Sequence, residues 1–179
     1  MLESLITSKT RIKLLLKFFL NSNNSAHLRG LESEFGESTN GIRVELNRFE
    51  QAGLLNSHLE GNRKIYAANI NHPLFSDIQQ LVHKHLGLDL VVEQVIQKIG
   101  ELERIYLTGA FAKGQESQQI EILLIGGEID KDYLETVIQK ASKLSKKQVL
   151  LRHFDRQHFE DVIRLTDREK LLLLWQKNK

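Results

Sequence analysis

The spacing of apolar residues changes halfway along this chain of 179 residues, and that change limits the folds available to it. In the first half, Ile42, Leu46 and Phe49 recur at helical intervals, so they fall on one face of a helix that Ser38 can cap. The alternating segment 54–69 follows, and its Gly-Asn pair is typical of a β-hairpin turn. The first 70 residues are therefore predicted to form short helices followed by a hairpin.

Three further helices are expected in the first half from the same helical spacing. One covers residues 9–20 with Ser8 as its cap, and a shorter one covers 26–35 and ends at Gly36. Another covers 73–86 and ends at Gly87.

After residue 88 the pattern alternates between strands and helices, which is typical of an α/β layer domain. The expected strands cover 104–109, 119–127 and 148–154, and the expected helices cover 90–100, 131–145 and 156–165. The segment 169–176 fits a helix or a buried strand equally well. We therefore expect an α+β protein of two domains, 1–70 and 89–179, with a linking or dimerisation helix at 71–88 and a small mixed sheet in the second domain.

Composition excludes several functional classes. The formal charge of +2 provides no overall basic field, so a nucleic-acid site would have to be a local patch. The absence of cysteine excludes disulfides and thiolate metal sites. No run approaches the roughly 18–20 apolar residues that a bilayer requires, and the amino terminus lacks a signal-peptide cleavage pattern. We expect a cytoplasmic protein without membrane contacts.

The predicted helix that Ser38 caps, which is the third along the chain, carries a polar stripe beside its apolar face. Asn40, Arg43 and Asn47 form this stripe, with Ser38 and Thr39 at its amino-terminal end. Arginine can pair with guanine and asparagine with adenine in a major groove wide enough for a helix. A helix amino terminus also suits a phosphate. The stripe therefore predicts a site for double-stranded DNA.

The hairpin tip would add contacts to the DNA backbone or the minor groove through Asn62, Arg63 and Lys64. Residues 38–66 contain four basic and three acidic residues, a net charge of only +1. This small charge favours a homodimer, because a dimer doubles the phosphate contacts. The alternative is that these basic residues are ordinary solvated surface charges.

Three segments together resemble known DNA-binding proteins: "SKTRIKLLLKFFLN", "VELNRFEQAGLL" and "GNRKIYAANINHPLF". They look like winged helix-turn-helix transcriptional regulators of the bacterial arsenical-resistance and multidrug-resistance repressor type. The resemblance covers about the first 90 residues, and it implies that the third helix reads DNA while the hairpin, or wing, grips the backbone. The cysteine-based metal sensing of some relatives does not carry over, because this chain has no cysteine.

A second resemblance lies in "GAFAKG" followed by "QQIEILLIGG", which is similar to the minimal nucleotidyltransferase pattern. In that pattern, glycines and a serine hold the phosphates of a nucleoside triphosphate, while paired carboxylates bind Mg²⁺. The matching positions here are Gly109, Ala110, Lys113, Gly114, Gln119 and Glu121.

This pocket departs from the nucleotidyltransferase pattern at most of its chemical positions. Ala110 replaces the serine, Gln119 replaces the first aspartate, and the longer Glu121 replaces the second. The later strand, 148–154, contains no acid. Mg²⁺ requires near-ideal oxygen geometry. We therefore expect a degenerate pocket in a retained fold, with no catalytic residues, metal or cofactor.

Together these features predict a homodimeric transcriptional regulator that binds double-stranded DNA. The second domain would sense a small-molecule or nucleotide effector, mediate dimerisation or dock a partner. Two other functions stay open: an active Mg²⁺-dependent nucleotidyltransferase that uses Glu121, and an antitoxin-like module that binds a protein. The segment 108–127 can also be an ordinary strand-turn-strand.

Overall fold

The computed structural model describes residues 2–98, 101–159 and 171–177 as an α+β protein with two separate sheets. The chain divides into two compact units. The amino-terminal unit is Met1–Val82 with Gly114–Glu116, and the carboxy-terminal unit is His83–Lys113 with Ser117–Lys179. The division falls inside the helix that covers the predicted linking segment. Within the described ranges, no helix has the length and apolar character needed to cross a bilayer.

The helices of the first half begin and end largely where their caps predict. Ser8 and Ser38 each accept a hydrogen bond from the backbone amide three residues later, which satisfies a donor that the first helical turn leaves unpaired. Gly36 ends a helix in the left-handed conformation, with φ of 63°. These helices are α1 (Leu2–Leu5), α2 (Lys9–Leu15, continued by a π-helical turn over Leu16–Leu20), α3 (Leu28–Phe35), α4 (Thr39–Gln51) and α5 (Phe75–Leu86).

The helical prediction for Ala26 and His27 is wrong. These residues belong to the short strand β1 (Ser25–His27), and α3 begins one residue later. Two interactions favour the extended backbone. Ser25–His27 pair with the last strand of the hairpin, and Nδ1 of His27 accepts the Gly30 amide at 2.9 Å as the cap of α3.

The predicted hairpin is formed by β2 (Leu55–Glu60) and β3 (Arg63–Ala68). Glu60 pairs with Arg63 in register, so Gly61 and Asn62 form a two-residue turn. Gly61 has φ of 58°, which a residue without a Cβ adopts at little cost. The three-stranded sheet has the order β1-β3-β2 and is antiparallel throughout.

The apolar face of α4 lies in the core of the amino-terminal unit, as its spacing predicts. Ile42 and Leu46 are fully buried, and Phe49 is nearly so. They share this core with apolar residues of the other elements, among them Leu14, Phe18, Leu31 and Leu55.

A carboxylate lies buried beside this apolar face. Glu45 has a side chain only 9% exposed, and Arg11 of α2 binds it through two hydrogen bonds of 2.9 and 3.1 Å. Arg48 adds a third bond at 2.9 Å. Burial raises the pKa of Glu45, but the hydrogen bonds and positive charge of Arg11, followed by the charge of Arg48, outweigh it and leave the pKa below its ordinary value.

The carboxy-terminal unit contains a four-stranded mixed sheet of order β6-β5-β4-β7. β5 runs parallel to β6, and β4 is antiparallel to both β5 and β7. The ambiguous segment is a strand, β7, within the described part of the chain. The bounds are α6 (Leu88–Lys98), β4 (Leu102–Thr108), α7 (Gly109–Ala112), β5 (Gln119–Gly126), α8 (Lys131–Ser145), β6 (Gln148–Phe154) and β7 (Leu172–Gln176).

The helix predicted over 156–165 starts as expected, since Oδ1 of Asp155 accepts the backbone amide of His158 at 2.8 Å. The structure describes this segment only as far as Phe159, so the rest of that prediction lies outside the described residues.

Replacing Glu45 by Gln should lower the free energy of unfolding of the amino-terminal unit by about 2 kcal/mol at neutral pH, because charged hydrogen bonds in a buried site are lost. The lowered pKa means that the carboxylate contributes stability above its unfolded-state pKa, and that this contribution disappears as pH falls through the folded pKa. The difference from the unmodified protein should therefore shrink in acid. Urea unfolding followed by circular dichroism at several pH values measures both effects.

The exposed Glu32 of α3 supplies the control, since Glu32→Gln removes the same charge without a buried partner. A loss as large for Glu32→Gln as for Glu45→Gln would contradict a specific role of the buried cluster.

Candidate nucleic-acid interface

A groove of about 740 Å³ lies in the amino-terminal unit between the start of α3, the middle of α4 and the hairpin tip. Three separate elements therefore contribute to one surface. Its charged and amide side chains are Arg29, Arg43, Asn47, Asn62, Arg63 and Lys64.

The groove unites five of the eight predicted DNA-binding residues. Two come from the stripe of α4 and three from the hairpin tip and β3. Ser38, Thr39 and Asn40 instead lie at the amino-terminal end of α4, where the Ser38 hydroxyl is occupied by the Gly41 amide. The five that share the groove are Arg43, Asn47, Asn62, Arg63 and Lys64.

The arginines of the groove differ from the other arginines of the amino-terminal unit. The side chains of Arg29, Arg43 and Arg63 are exposed, and within the described part of the chain their guanidinium groups form no hydrogen bond or ion pair. Arg11 and Arg48, by contrast, are both bound to Glu45. Three arginines whose guanidinium groups have no partner among the described residues therefore line one concave surface, and no described carboxylate lines it.

The ammonium group of Lys64 is bound by other side chains of the amino-terminal unit. Its Nζ donates to Oε2 of Glu50 at 2.7 Å and lies 5.1 Å from the centre of the Tyr66 ring. Oε1 of Glu50 accepts the Ser57 hydroxyl at 2.5 Å. The hydrogen bond from Lys64, followed by that from Ser57, lowers the pKa of Glu50, and the bond to Glu50 raises the pKa of Lys64.

Arg29 and His27 were missed by the sequence prediction. The sequence predicts a single helix from residue 26, which gives no reason for these two side chains to meet α4 and the hairpin. The pairing of β1 with β3 brings them there. Because Nδ1 of His27 accepts the Gly30 amide, the neutral ring carries its proton on Nε2.

The second predicted site lies mostly in the carboxy-terminal unit. Gly109 starts α7 with φ of 68°, and Ala110 follows within this short helix. Lys113 ends α7, while Gly114, also with φ of 68°, belongs to the amino-terminal unit.

The carboxylate of Glu121 lies directly against Gly109. A Cβ atom at residue 109 would overlap Oε1 of Glu121 and lie 2.8 Å from Cδ. The Gln119 amide donates to Oε1 of Gln148 on β6 at 2.9 Å. The two positions that correspond to metal-binding aspartates therefore hold a carboxylate packed on the glycine turn and an amide bound to another amide.

The neighbouring strand β6 adds no acidic ligand beside Glu121, because the residue of β6 that pairs with Glu121 is Leu150. Among the described residues, no group of three or more histidine, aspartate or glutamate side chains is arranged to hold a metal ion.

No family model matches this chain, and no curated protein matches it. Among solved structures, reduced HlyU from Vibrio cholerae is 18% identical over 46% of this chain and 81% of its own, with a TM-score of 0.37. A toxin-antitoxin with AMP-PNP is 20% identical over 50% of this chain and 73% of its own, with a TM-score of 0.40. A Sulfolobus solfataricus structure, provisionally described as a nucleotidyltransferase, is 20% identical over 58% and 90%, with a TM-score of 0.38. These scores describe partial superpositions.

Replacing Gly109 by Ala should lower the free energy of unfolding of the carboxy-terminal unit by more than replacing Gly87. Both glycines have positive φ, 68° and 70°, so each alanine costs about 1–2 kcal/mol in the left-handed conformation. A Cβ at Gly87 meets only ordinary contacts, whereas one at Gly109 must displace the Glu121 carboxylate. Denaturation followed by the fluorescence of Trp175, in β7, compares them.

The double variant Gly109→Ala, Glu121→Ala should lose only as much stability as Gly87→Ala. Equal losses for the single Gly109→Ala and Gly87→Ala variants would mean that the Glu121 side chain moves aside at no measurable cost and does not contribute to the stability of the turn.

Proposed function

We propose that this chain is a transcriptional regulator that binds double-stranded DNA through its amino-terminal unit. One observation carries the proposal: Arg29, Arg43 and Arg63 line one groove, and among residues 2–98, 101–159 and 171–177 their guanidinium groups have no partner and no carboxylate lines that groove. Phosphate contacts from such groups supply most of the affinity of proteins for DNA. Asn47 and Asn62 lie in the same groove and can add directional hydrogen bonds.

The order of elements supports a winged helix-turn-helix as the binding unit. Helices α3 and α4 precede the hairpin, and β1 completes a three-stranded sheet with it. In this arrangement α4 enters the major groove and the hairpin, as the wing, contacts the backbone beside it. The exposed side chains of Asn40, Arg43 and Asn47 would then face base edges.

The distribution of acids supports the same orientation. Glu45 is turned into the protein by Arg11 and Arg48, so it leaves the exposed face of α4 uncharged at that position. Glu50 is engaged by Ser57 and Lys64. With so small a net charge in this region, we infer that a homodimer binds, because two copies double the number of phosphate contacts.

For the carboxy-terminal unit we propose a degenerate nucleotidyltransferase-like domain without catalytic activity. Three features support this: the amide of Gln119 at a position that needs a carboxylate, the Glu121 side chain packed on Gly109, and Leu150 beside it on β6. A triphosphate at this turn would meet a carboxylate where it needs backbone donors. The domain would act in sensing, dimerisation or docking of a partner.

Replacing Arg63 by Ala should weaken binding to all duplexes evenly and reduce the slope of log K against log salt by about 1, because one phosphate contact is lost. Replacing Arg43 should instead reduce discrimination between a duplex selected from a random library and a scrambled one, by about 1–3 kcal/mol. Fluorescence anisotropy over a range of salt concentrations measures both. The exposed Lys140 of α8 gives the control, since Lys140→Ala removes the same charge outside the groove.

Unchanged binding after Arg29, Arg43 and Arg63 are all replaced by Ala would sink the DNA-binding proposal.

Incubation of the protein with labelled ATP and Mg²⁺, in the presence of protein and small-molecule acceptors, should give no labelled product above that of Glu121→Ala. The reason is that Gln119 and Leu150 provide no charged oxygen to complete a metal site around Glu121. Transfer that the Glu121→Ala substitution abolishes would instead establish the unit as a nucleotidyltransferase.

A further inference from the structure

Glu50 links α4 to both strands of the hairpin. It lies in the last turn of α4, where its Oε1 accepts the Ser57 hydroxyl from β2 and its Oε2 accepts the ammonium of Lys64 from β3. Each oxygen is thus bound by a different strand at 2.5 and 2.7 Å. The side chain consequently restrains both strands of the wing relative to the helix.

The position of Lys64 in the hairpin agrees with this restraint. Ser57 pairs with Tyr66 in register, so Ser57, Lys64 and Tyr66 point to the same face of the two strands. On that face the Lys64 ammonium lies between the Glu50 carboxylate and the Tyr66 ring. Arg63, one residue earlier, also lines the groove, but its side chain has no hydrogen-bond or ion-pair partner in the described part of the chain.

We propose that Glu50, Ser57 and Lys64 form a clamp that sets the distance between α4 and the hairpin tip, and so the width of the groove that receives DNA. This inference rests on the proposed function. It makes Glu50 a positioning residue, and it assigns Lys64 to the clamp, where the sequence alone predicts a phosphate contact.

A clamp of this kind acts through geometry. Glu50 and Lys64 are both partly exposed, with side chains 31% and 43% accessible, and ion pairs in such positions contribute little to the free energy of unfolding. DNA, however, is a rigid ligand that the helix and the hairpin must meet at the same time. Holding the hairpin in place before binding removes the cost of ordering it in the complex.

The direction in which one substitution changes the affinity for DNA distinguishes the clamp from simple electrostatics. Glu50→Gln removes a negative charge near the groove, so electrostatics alone predicts tighter binding to DNA. The clamp predicts weaker binding, by a factor of about two to ten, because the hairpin must then be ordered on binding. Fluorescence anisotropy with a labelled duplex measures the change.

Glu60→Gln is the matched control for that measurement. Glu60 ends β2 at the hairpin tip, is exposed, and has no side-chain partner among the described residues. Its replacement should tighten binding slightly. If Glu50→Gln tightens binding as Glu60→Gln does, the clamp is overturned.

The double variant Glu50→Gln, Lys64→Gln gives a second test, because it has the same net charge as the unmodified protein. The clamp predicts that binding stays weaker by about the same factor as in Glu50→Gln. Recovery of the original affinity would show that only charge matters and would overturn the proposal.

Hydrogen exchange of the hairpin amides, measured without DNA, keeps this inference separate from the proposed function. Exchange over residues 55–68 should be faster in Glu50→Gln than in Glu60→Gln, and equal rates would refute the clamp. If the unmodified protein binds no duplex, the proposed function fails together with the role of the clamp in binding, while the exchange rates still decide whether the clamp exists.

Discussion

The buried carboxylate of Glu45 is the interaction on which the amino-terminal unit most depends. Two guanidinium groups, from α2 and from α4 itself, compensate its charge where the side chain is only 9% exposed. A buried carboxylate without such partners would cost several kcal/mol, so the pairing fixes how α4 rotates about its axis against α2. That rotation places Ile42 and Leu46 in the core and leaves Arg43 and Asn47 exposed.

The same region uses its acids and bases in two different ways. Acids of α4 form ion pairs with Arg11, Arg48 and Lys64. The guanidinium groups of the arginines that line the groove have no such partner in the part of the chain that the structure describes. A count of charges along the sequence treats these groups alike and gives a net value of only +1 over 38–66. The spatial sorting of paired from unpaired groups, more than the net charge, makes the proposed DNA-binding surface basic.

In the carboxy-terminal unit, the glycine turn and the strand of the predicted nucleotide pocket are present, but other interactions occupy the positions predicted to bind phosphate and metal. The turn at Gly109 has the left-handed conformation, and β5 is buried at Ile120 and over residues 122–126. Gln119 forms an amide pair with Gln148, and the Glu121 carboxylate packs on the turn. Packing and hydrogen bonds of this kind stabilise a domain without requiring a ligand.

The sequence by itself determined the local features of this protein, because they depend on neighbours within about four residues. The caps Ser8 and Ser38, the Gly61 turn and the buried face of α4 could all be predicted. Only the tertiary structure decided that residues 25–27 form a strand and that Arg29 joins Arg43 and Arg63. The pairing of Glu50 with Lys64 was likewise decided only by the tertiary structure. All of these contacts join residues 14 or more positions apart in the chain, and local periodicity and propensity do not encode contacts at that separation.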